Sequence, residues 1–423
     1  MLPRVFLVKQ DIRHRVIADP AAVVADEMQR CLDSGLVKPG QRVAVACGSR
    51  GITHVPAMAK AVVDALKSAG ARPFVFPAMG SHGGGTSEGQ KSTLEHLGLT
   101  EAFLDCPILS EIEPQRIGET HEGVPVYMDV NALEADWIMV LNRVKPHSDF
   151  FGTIGSGLVK MLVIGCGKMK GADTTHEAAI AHGLEPMLRS VAETVLEKMP
   201  VLGALGVIEG PTGLTETITW SPADDLIQTE PERFSRSCRL APAIPIKRAT
   251  LLVVDWMGKN ISGCGIDPFV IGRQEYLNVH DSYTDFRADR LYVADMTEES
   301  LGNADGVGMA DATSRRLVSK LDYDAIRLGV MTSRTLPLGR IPIFFESDRD
   351  AIEHLLVTGT VPRRDATVIR IRNTTDLEYL EISENLLGEW EALALGPVVS
   401  GPSEPRFDDS GNLLPLPTAS WTA

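Results

Sequence analysis

The feature that most constrains the fold is a unit of buried strand, glycine-rich polar loop and helix that occurs twice near the start of the chain. Residues 42–46 have the apolar character of a buried strand, and a helical pattern follows over 53–68. A second strand is predicted over 73–77, and Thr86 is placed to cap the helix that comes after it. Strands that alternate with helices in this way are typical of an α/β fold.

The same alternation continues and then restarts, which indicates two domains. A third strand is predicted over 136–141, and a new series of strands begins at Thr250, after the proline-rich segment 241–245. We therefore predict two α/β domains with parallel or mixed sheets, over residues 1–245 and 246–423, and an active-site cleft between them. The tail of the second domain is expected to return to the first domain or to fray.

Three later helices are also predicted from periodicity. The pattern after His176 is helical to about residue 199, and a break is expected at Pro186 because proline cannot continue a helix interior. In the second domain, residues 312–321 and 348–357 have helical patterns.

The composition excludes several classes of function. The formal net charge is -15 at pH 7, so the chain lacks the general basic character of proteins that bind nucleic acids or membrane surfaces. The six cysteines form no CxxC pair, which is typical of a reduced protein, and the first residues do not resemble a secretory signal. We therefore expect a cytoplasmic protein that binds a small molecule, with no nucleic acid and no membrane as partners. The oligomeric state is left open.

One segment departs from this acidity. Residues 142–176, NRVKPHSDFFGTIGSGLVKMLVIGCGKMKGADTTH, concentrate basic side chains among glycines, which predicts an anionic ligand, a metal ion or both. Lys160 lies in an apolar run, where its stem could simply pack while its amine reaches water, or where burial could make the amine nucleophilic. His176 could cap a helix or bind a transition metal.

The exits of the three predicted strands contain Arg50, His82 and His147. In open α/β sheets ligands bind beyond the carboxyl ends of the strands, so these side chains are expected to converge on one site. The loop GSHGGG around His82 could be only a flexible turn, but a histidine before a helix N-terminus can transfer protons beside a bound anion. The turn Gly155-Ser156-Gly157 resembles a phosphate-binding turn, although neither loop has the Walker or dinucleotide-binding spacing.

Four separated motifs, in this order, carry a resemblance to a known family. They are GSRGI at 48–52, GSHGGGTSEGQ at 80–90, NRVKPHSDFFGTIGSGLVKMLVIGCGK from residue 142, and KGADTTH ending at His176. Together they resemble the nickel-dependent lactate racemase family, whose N-terminal domain binds a nickel-pincer nucleotide. The likeness covers most of residues 40–180 and is weaker after residue 250, which indicates a divergent branch.

The resemblance implies a role for each candidate residue. Lys160 would hold the pyridinium mononucleotide of the cofactor covalently, and His176 would bind its nickel ion. His82 and His147 would be the acid/base pair on opposite faces of the substrate, and Arg50 would bind the substrate carboxylate. The remaining cofactor contacts would come from Ser49, Gly155, Ser156 and Gly157.

The activity that the resemblance implies is that of a nickel-dependent isomerase, a racemase or epimerase of a 2-hydroxy acid. One histidine takes the hydroxyl proton while the C2 hydride moves to the nickel-pincer nucleotide, and hydride return to the other face of the transient 2-keto acid inverts the centre. Two histidines suit this reaction, since an ordinary pKa of about 6.5 lets either act as acid or base at neutral pH.

Two alternatives remain open from the sequence. One is a non-catalytic or regulatory member of the family that binds a nucleotide or a sugar-phosphate-like anion in the same cleft. The other is a descendant that kept the fold and lost the cofactor.

The sequence also departs from the family pattern at several positions. Cys47 stands where the family usually has an acidic residue three positions before the arginine, and Gly51 replaces the proline after it. The stretch from His147 to Lys160 is a few residues longer than in the lactate enzymes. These differences bear on the substrate more than on the cofactor. Candidates for substrate contacts in the second domain are Lys259, Asn260 and Arg273.

Overall fold

The structure is a computed structural model that describes residues 2–49, 51–80, 82–147, 150–273 and 284–416. Its chain divides into two compact units. The terminal unit contains residues of Met1–Arg13, Ser148–Phe151 and Pro242–Ala423, and the central unit contains His14–His147 and Gly152–Ala241. The predicted domains differ from these units chiefly in the first residues of the chain, and their boundary near residue 245 stays a prediction, as does a cleft between them.

Strands and helices alternate along most of the described chain. The strands are β1 (Val5–Lys9), β2 (Arg42–Cys47), β3 (Arg72–Pro77), β4 (Pro114–Glu119), β5 (Pro125–Asp129), β6 (Trp137–Arg143), β7 (Val201–Glu209), β8 (Thr215–Pro222), β9 (Arg248–Met257), β10 (Arg287–Met296), β11 (Ala312–Ser314), β12 (Ile343–Phe345), β13 (Val368–Asn373), β14 (Asp376–Ser383) and β15 (Val398–Ser403). The helices are α1 (Pro20–Asp33), α2 (Val55–Ser68), α3 (Ser87–His96), α4 (Glu101–Leu104), α5 (Val130–Leu133), α6 (Leu158–Lys160), α7 (Lys168–His182), α8 (Leu184–Lys198), α9 (Leu226–Arg239), α10 (Pro268–Ile271), α11 (Arg315–Val318), α12 (Tyr323–Ser333), α13 (Asp348–Val357) and α14 (Leu387–Ala392). A π-helical turn, Met161–Gly165, follows α6 directly.

The central unit is built on a five-stranded sheet with the order β3-β2-β6-β7-β8. The first four strands are parallel, and β8 pairs antiparallel with β7. Cys47 at the end of β2 is level with Pro77 of β3 and with Leu141 of β6. The carboxyl ends of three adjacent strands therefore meet at one edge of the sheet, where ligand-binding loops of open α/β sheets are found.

The burial pattern explains why these residues form strands and helices. Every position of β2 after Arg42 is buried, as expected for a parallel strand with both faces covered. Helix α2 buries Met58, Val62 and Leu66, which are four residues apart and belong to the same apolar core as Val45 of β2. The helix predicted over 53–68 is therefore confirmed to within two residues.

The terminal unit has an eight-stranded mixed sheet with the order β12-β11-β10-β9-β13-β14-β1-β15. The strands from β12 to β13 are parallel, whereas β14, β1 and β15 pair antiparallel with their neighbours. Its core includes the fully buried side chains of Trp390 and Phe286. The prediction of an α/β fold with parallel or mixed sheets is confirmed in both units.

Two local predictions differ from the structure. The helix predicted over 312–321 is wrong at both ends: its first three residues form β11 between β10 and β12, and the helix itself, α11, ends at Val318. The break between α7 and α8 falls at Gly183, with φ +84°, and Pro186 is accommodated in the first turn of α8. The helix predicted over 348–357 is confirmed as α13. None of the described helices combines the length and apolar character needed to cross a lipid bilayer.

Candidate functional site

The loops that follow β2 and β3 bring Ser49 and His82 together. The Oγ of Ser49 is in hydrogen-bond contact with Nδ1 of His82. The two loops leave the sheet side by side because β2 and β3 are adjacent parallel strands with level ends. This contact orients the ring so that Nε2 is directed away from Ser49, which is the arrangement that fixes a histidine for proton transfer through its second nitrogen.

A second contact joins His147, in the loop after β6, to Lys160 at the end of α6. Nε2 of His147 and Nζ of Lys160 are in hydrogen-bond contact, and both residues are partly buried. One of the two nitrogens must accept the hydrogen bond, so an ammonium and an imidazolium are not both present in this arrangement. The contact therefore couples the proton state of the predicted acid/base histidine to that of the predicted attachment lysine.

Close backbone packing brings the two contacts into one region of the central unit. A Cβ added at Gly48 would lie 3.1 Å from Cε of Met161 and 3.4 Å from Oδ1 of Asn142. The Nδ2 of Asn142 donates to the carbonyl oxygen of Gly157 at 2.9 Å. The loop after β2, the end of β6 and the segment on both sides of Lys160 are therefore packed against each other.

The loop after β3 packs on the same segment. The chain from Met161 to Gly165 is π-helical, a rare conformation that occurs frequently at functional sites. A Cβ added at Gly165 would lie 2.7 Å from the carbonyl oxygen of Ala78, and one at Gly80 would lie 3.3 Å from that of Ile164. Only glycine permits the first of these approaches, which places the loop of His82 directly on the π-helical turn.

The start of α6 is held by Glu230, a buried residue of α9. Its Oε1 accepts a hydrogen bond from the backbone N–H of Leu158 at 2.8 Å. Burial raises the pKa of Glu230 to about 7, against the opposing effect of the backbone N–H groups that it binds. Its Oε2 is buried and has no hydrogen-bond partner among the described residues. The sequence reasoning missed Glu230, because nothing in its local sequence connects it to a helix that begins 72 residues earlier.

The turn of Gly155, Ser156 and Gly157 is closely packed within the protein. A Cβ at Gly155 would lie 2.5 Å from Cε2 of Phe234, and one at Gly157 would overlap Oε1 of Glu230. The carbonyl oxygen of Ser156 accepts a backbone hydrogen bond from Lys145 at 2.7 Å. These contacts give the glycines a packing role, and the cofactor contacts assigned to the turn stay a prediction.

A buried polar network lies behind the loop of His82. Nζ of Lys168 is 2.7 Å from Oδ2 of Asp129, and both side chains are fully buried. The same ammonium donates to the carbonyl oxygen of Pro77 at 2.5 Å and to Oε1 of Gln90 at 3.0 Å. Burial raises the pKa of Asp129, although the Lys168 ammonium opposes that shift. Of these residues, Lys168 lies in the basic segment 142–176 and Gln90 ends the motif at 80–90, whereas Asp129 carried no sequence signal.

The remaining predicted site residues have different outcomes. Arg50 lies outside the described residues. His176 is on α7 and is partly buried. In the ranges that the structure describes, no three histidine, cysteine, aspartate or glutamate side chains are grouped as metal ligands. The resemblance implies His176 as a single protein ligand, so its role stays a prediction.

The candidate residues of the second domain make structural contacts within the terminal unit. Arg273 donates to Oδ2 of Asp311 at 2.6 Å and to backbone carbonyl groups. The Nζ of Lys259 pairs with Asp305. The Oδ1 of Asn260 accepts from a threonine hydroxyl at 2.8 Å. These contacts stabilise the loops after β9 and around β10, and any role in substrate binding stays a prediction.

Comparison with known proteins supports the relationship that the motifs implied. Residues 16–186 match the model of the lactate racemase N-terminal domain. This segment of the chain is therefore similar to the N-terminal domain of lactate racemases. The match includes Ser49, His82, His147, Lys160 and His176.

The solved structures that match the chain include a lactate racemase, and no curated protein sequence matches it. The lactate racemase apoprotein from Thermoanaerobacterium thermosaccharolyticum has 12% sequence identity and a TM-score of 0.46, with coverage of 79% of this chain and 84% of that chain. A protein from Thermotoga maritima solved by a structural genomics consortium has 14% identity and a TM-score of 0.49, with coverage of 65% of this chain and 70% of that chain.

Proposed function

We propose that this protein is a nickel-dependent racemase or epimerase of a 2-hydroxy acid. The observation that supports the proposal most is the arrangement of two histidines at the carboxyl edge of one sheet. His82 is oriented by Ser49, and His147 contacts the amine of Lys160. When the C2 centre is inverted, the hydroxyl proton is taken on one side of the substrate and returned on the other, which needs two acid/base groups because a single histidine does not reach both sides.

The donor groups of this site fit the nickel-pincer nucleotide at two points. Lys160 offers a partly buried amine beside an imidazole, as covalent attachment requires, and His176 offers an imidazole for nickel. When bound, the cofactor supplies a hydride acceptor next to the substrate carbon. The fit is poorer at the turn of Gly155 to Gly157, where Glu230 already accepts the N–H of Leu158.

The residues of the chain would then bind the substrate and move protons. His82 would take the proton of the substrate hydroxyl through Nε2 in one direction of the reaction, and His147 would do so in the other. Arg50, which lies outside the described residues, would bind the substrate carboxylate as a bidentate donor. Ser49 would keep the ring of His82 in one orientation throughout.

The regulatory alternative has less support. A nucleotide or sugar phosphate bound at the Gly155 to Gly157 turn would compete with the carboxyl group of Glu230 for the same N–H donor. The side chains of Phe234 and Glu230 also pack against the glycines of the turn, so little space is left there for a phosphate.

The test uses protein produced together with the enzymes that make the cofactor. We expect stoichiometric nickel, an added mass on the peptide that contains Lys160, and inversion at C2 of one or more chiral 2-hydroxy acids, read by chiral chromatography. Lys160→Ala should lose the added mass and the inversion, whereas His82→Ala and His147→Ala should keep the mass and lose the inversion. The control is His96→Ala, at an exposed histidine of α3, which should behave as the wild type in both measurements.

Two outcomes would count against the proposal. Normal cofactor retention by the Lys160→Ala variant would remove the attachment site. A wild-type protein that carries the added mass but inverts the C2 centre of no acid in the panel would favour the non-catalytic alternative.

A further inference from the structure

A fully buried lysine is costly unless its charge is compensated, and Lys168 is compensated by three groups. It pairs with Asp129 and donates to the carbonyl oxygen of Pro77 and to the amide oxygen of Gln90. Replacing such a pair with apolar side chains is often neutral or stabilising, so stability alone is a weak reason for its presence. The contacts of Lys168 point to a more specific role.

The backbone of Lys168 supports the same conclusion. Its φ is +55°, in the left-handed region that glycine and asparagine occupy much more easily than lysine. A side chain other than glycine is strained in this conformation. The lysine side chain therefore has a use that glycine could not supply at this position.

That use is the orientation of the Gln90 amide. Because the ammonium of Lys168 can only donate, it requires the oxygen of Gln90 to face it. The amide nitrogen then faces the opposite way and donates to the carbonyl oxygens of Gly80 at 2.9 Å and His82 at 3.2 Å. The amide of Gln90 is fully buried, so water does not compete for these bonds.

We propose that Lys168 and Gln90 are positioning residues for His82. Lys168 fixes the direction of the Gln90 amide, and Gln90 fixes the main chain of the loop on both sides of residue 81. Ser49 fixes the ring of the same histidine. The inference rests on the proposed function only in taking His82 as an acid/base group; the restraint on the loop itself is independent of it.

The test replaces the donor group of Gln90 while keeping its size. Gln90→Glu retains an acceptor for Lys168 but presents oxygen to the two carbonyl groups, and Gln90→Met removes both hydrogen-bonding functions. We expect kcat for inversion at C2 to fall about a hundred-fold, as for misplaced catalytic groups, with KM and the added mass on the Lys160 peptide unchanged. Gln115→Met, at an exposed glutamine of β4, should leave kcat unchanged.

A readout independent of activity is the imidazole resonance of His82 in protein labelled with carbon-13 at histidine. In both Gln90 variants we expect this resonance to shift or broaden, while that of His96 on α3 stays in place. A loss of stability alone would not separate the two histidines in this way. If the wild-type protein inverts no 2-hydroxy acid, the proposed function fails, and the His82 resonance still decides whether the positioning role is correct.

A third variant covers the case in which the Gln90 variants do not fold. Lys168→Met combined with Asp129→Asn removes both buried charges together, so neither is left without a partner. It should release the Gln90 amide and shift the His82 resonance. A wild-type His82 resonance and wild-type kcat in whichever of these variants fold would overturn the inference.

Discussion

The Ser49 hydroxyl defines the orientation of the His82 ring, so its removal should affect proton transfer and spare cofactor attachment. For Ser49→Ala we expect kcat/KM for inversion at C2 to fall about ten-fold or more, as is usual when an orienting partner is removed, and its pH profile to shift. The peptide that contains Lys160 should carry the same added mass as in the wild type. Ser68→Ala, at an exposed serine of α2, is the matched control.

The opposite outcome is also informative. If Ser49→Ala lost the added mass on Lys160, the serine would contact the cofactor, as the family resemblance implied. The orientation of His82 would then be a secondary effect.

Glu230 should make the stability of the protein depend on pH in a predictable direction. Burial raises its pKa to about 7 from an ordinary value of 4.5, so between these values the folded protein binds a proton that the unfolded chain releases. The stabilisation is complete below about pH 4.5 and is lost as the pH rises through 7. Over that interval the free energy of unfolding should fall by roughly 3 kcal/mol on account of Glu230.

Urea unfolding of the wild type and of Glu230→Gln at intervals from pH 5 to pH 8 measures this contribution. The amide keeps an acceptor for the N–H of Leu158 but does not titrate, so the difference in unfolding free energy between the two proteins should change with pH. A constant difference across the range would show that Glu230 does not titrate there.

At the scale of elements, the sequence predicts what local pattern determines. The strand ends and the loops with His82 and His147 could be located because a buried strand followed by glycines has a strong periodic signal. The contacts of these residues could not be located, since nothing in the sequence of α9 connects Glu230 to the site, and the motif at 80–90 does not show which groups its last residue, Gln90, contacts. Those two side chains contact the site because of where the fold places them, and not because of their residue type.

The two incorrect local predictions have physical explanations of the same kind. Residues 312–314 have a helical pattern, but pairing with β10 and β12 on both sides makes them a strand, because sheet neighbours override local propensity. Pro186 was expected to break a helix, yet in the first turn its missing N–H costs nothing, and the break falls instead at Gly183.

At the scale of the whole molecule, the division of the chain follows sheet membership. The start of the chain pairs in β1 with β14 and β15, more than 370 residues later, and so belongs to the terminal unit. Such pairing leaves no local trace, which is why the prediction placed residues 1–245 together. By contrast, the strands of the central unit follow one another at the short spacing that periodicity detects.

The position of β1 predicts that the first residues are essential to the terminal unit. The strand buries Val5, Phe6, Leu7 and Val8, and burial of each such side chain contributes about 1.5–3 kcal/mol. Their sum is comparable to the whole stability of a typical domain, about 5–15 kcal/mol. Removal of residues 2–10 should therefore unfold the terminal unit and expose β14, while the sheet of the central unit keeps its protection.

Hydrogen exchange followed peptide by peptide distinguishes the two units in the shortened chain. A graded pair of variants tests the same argument without truncation: Val8→Ala, at a fully buried position, should lower the free energy of unfolding by about 1–3 kcal/mol, whereas Val16→Ala, at a 46% exposed position, should change it little. Unchanged protection of β13 and β14 after removal of residues 2–10 would mean that β1 covers the sheet without stabilising it. Loss of protection in the strands of the eight-stranded sheet, and not in those of the central unit, is the expected result. It would establish that the two ends of the chain fold as one unit.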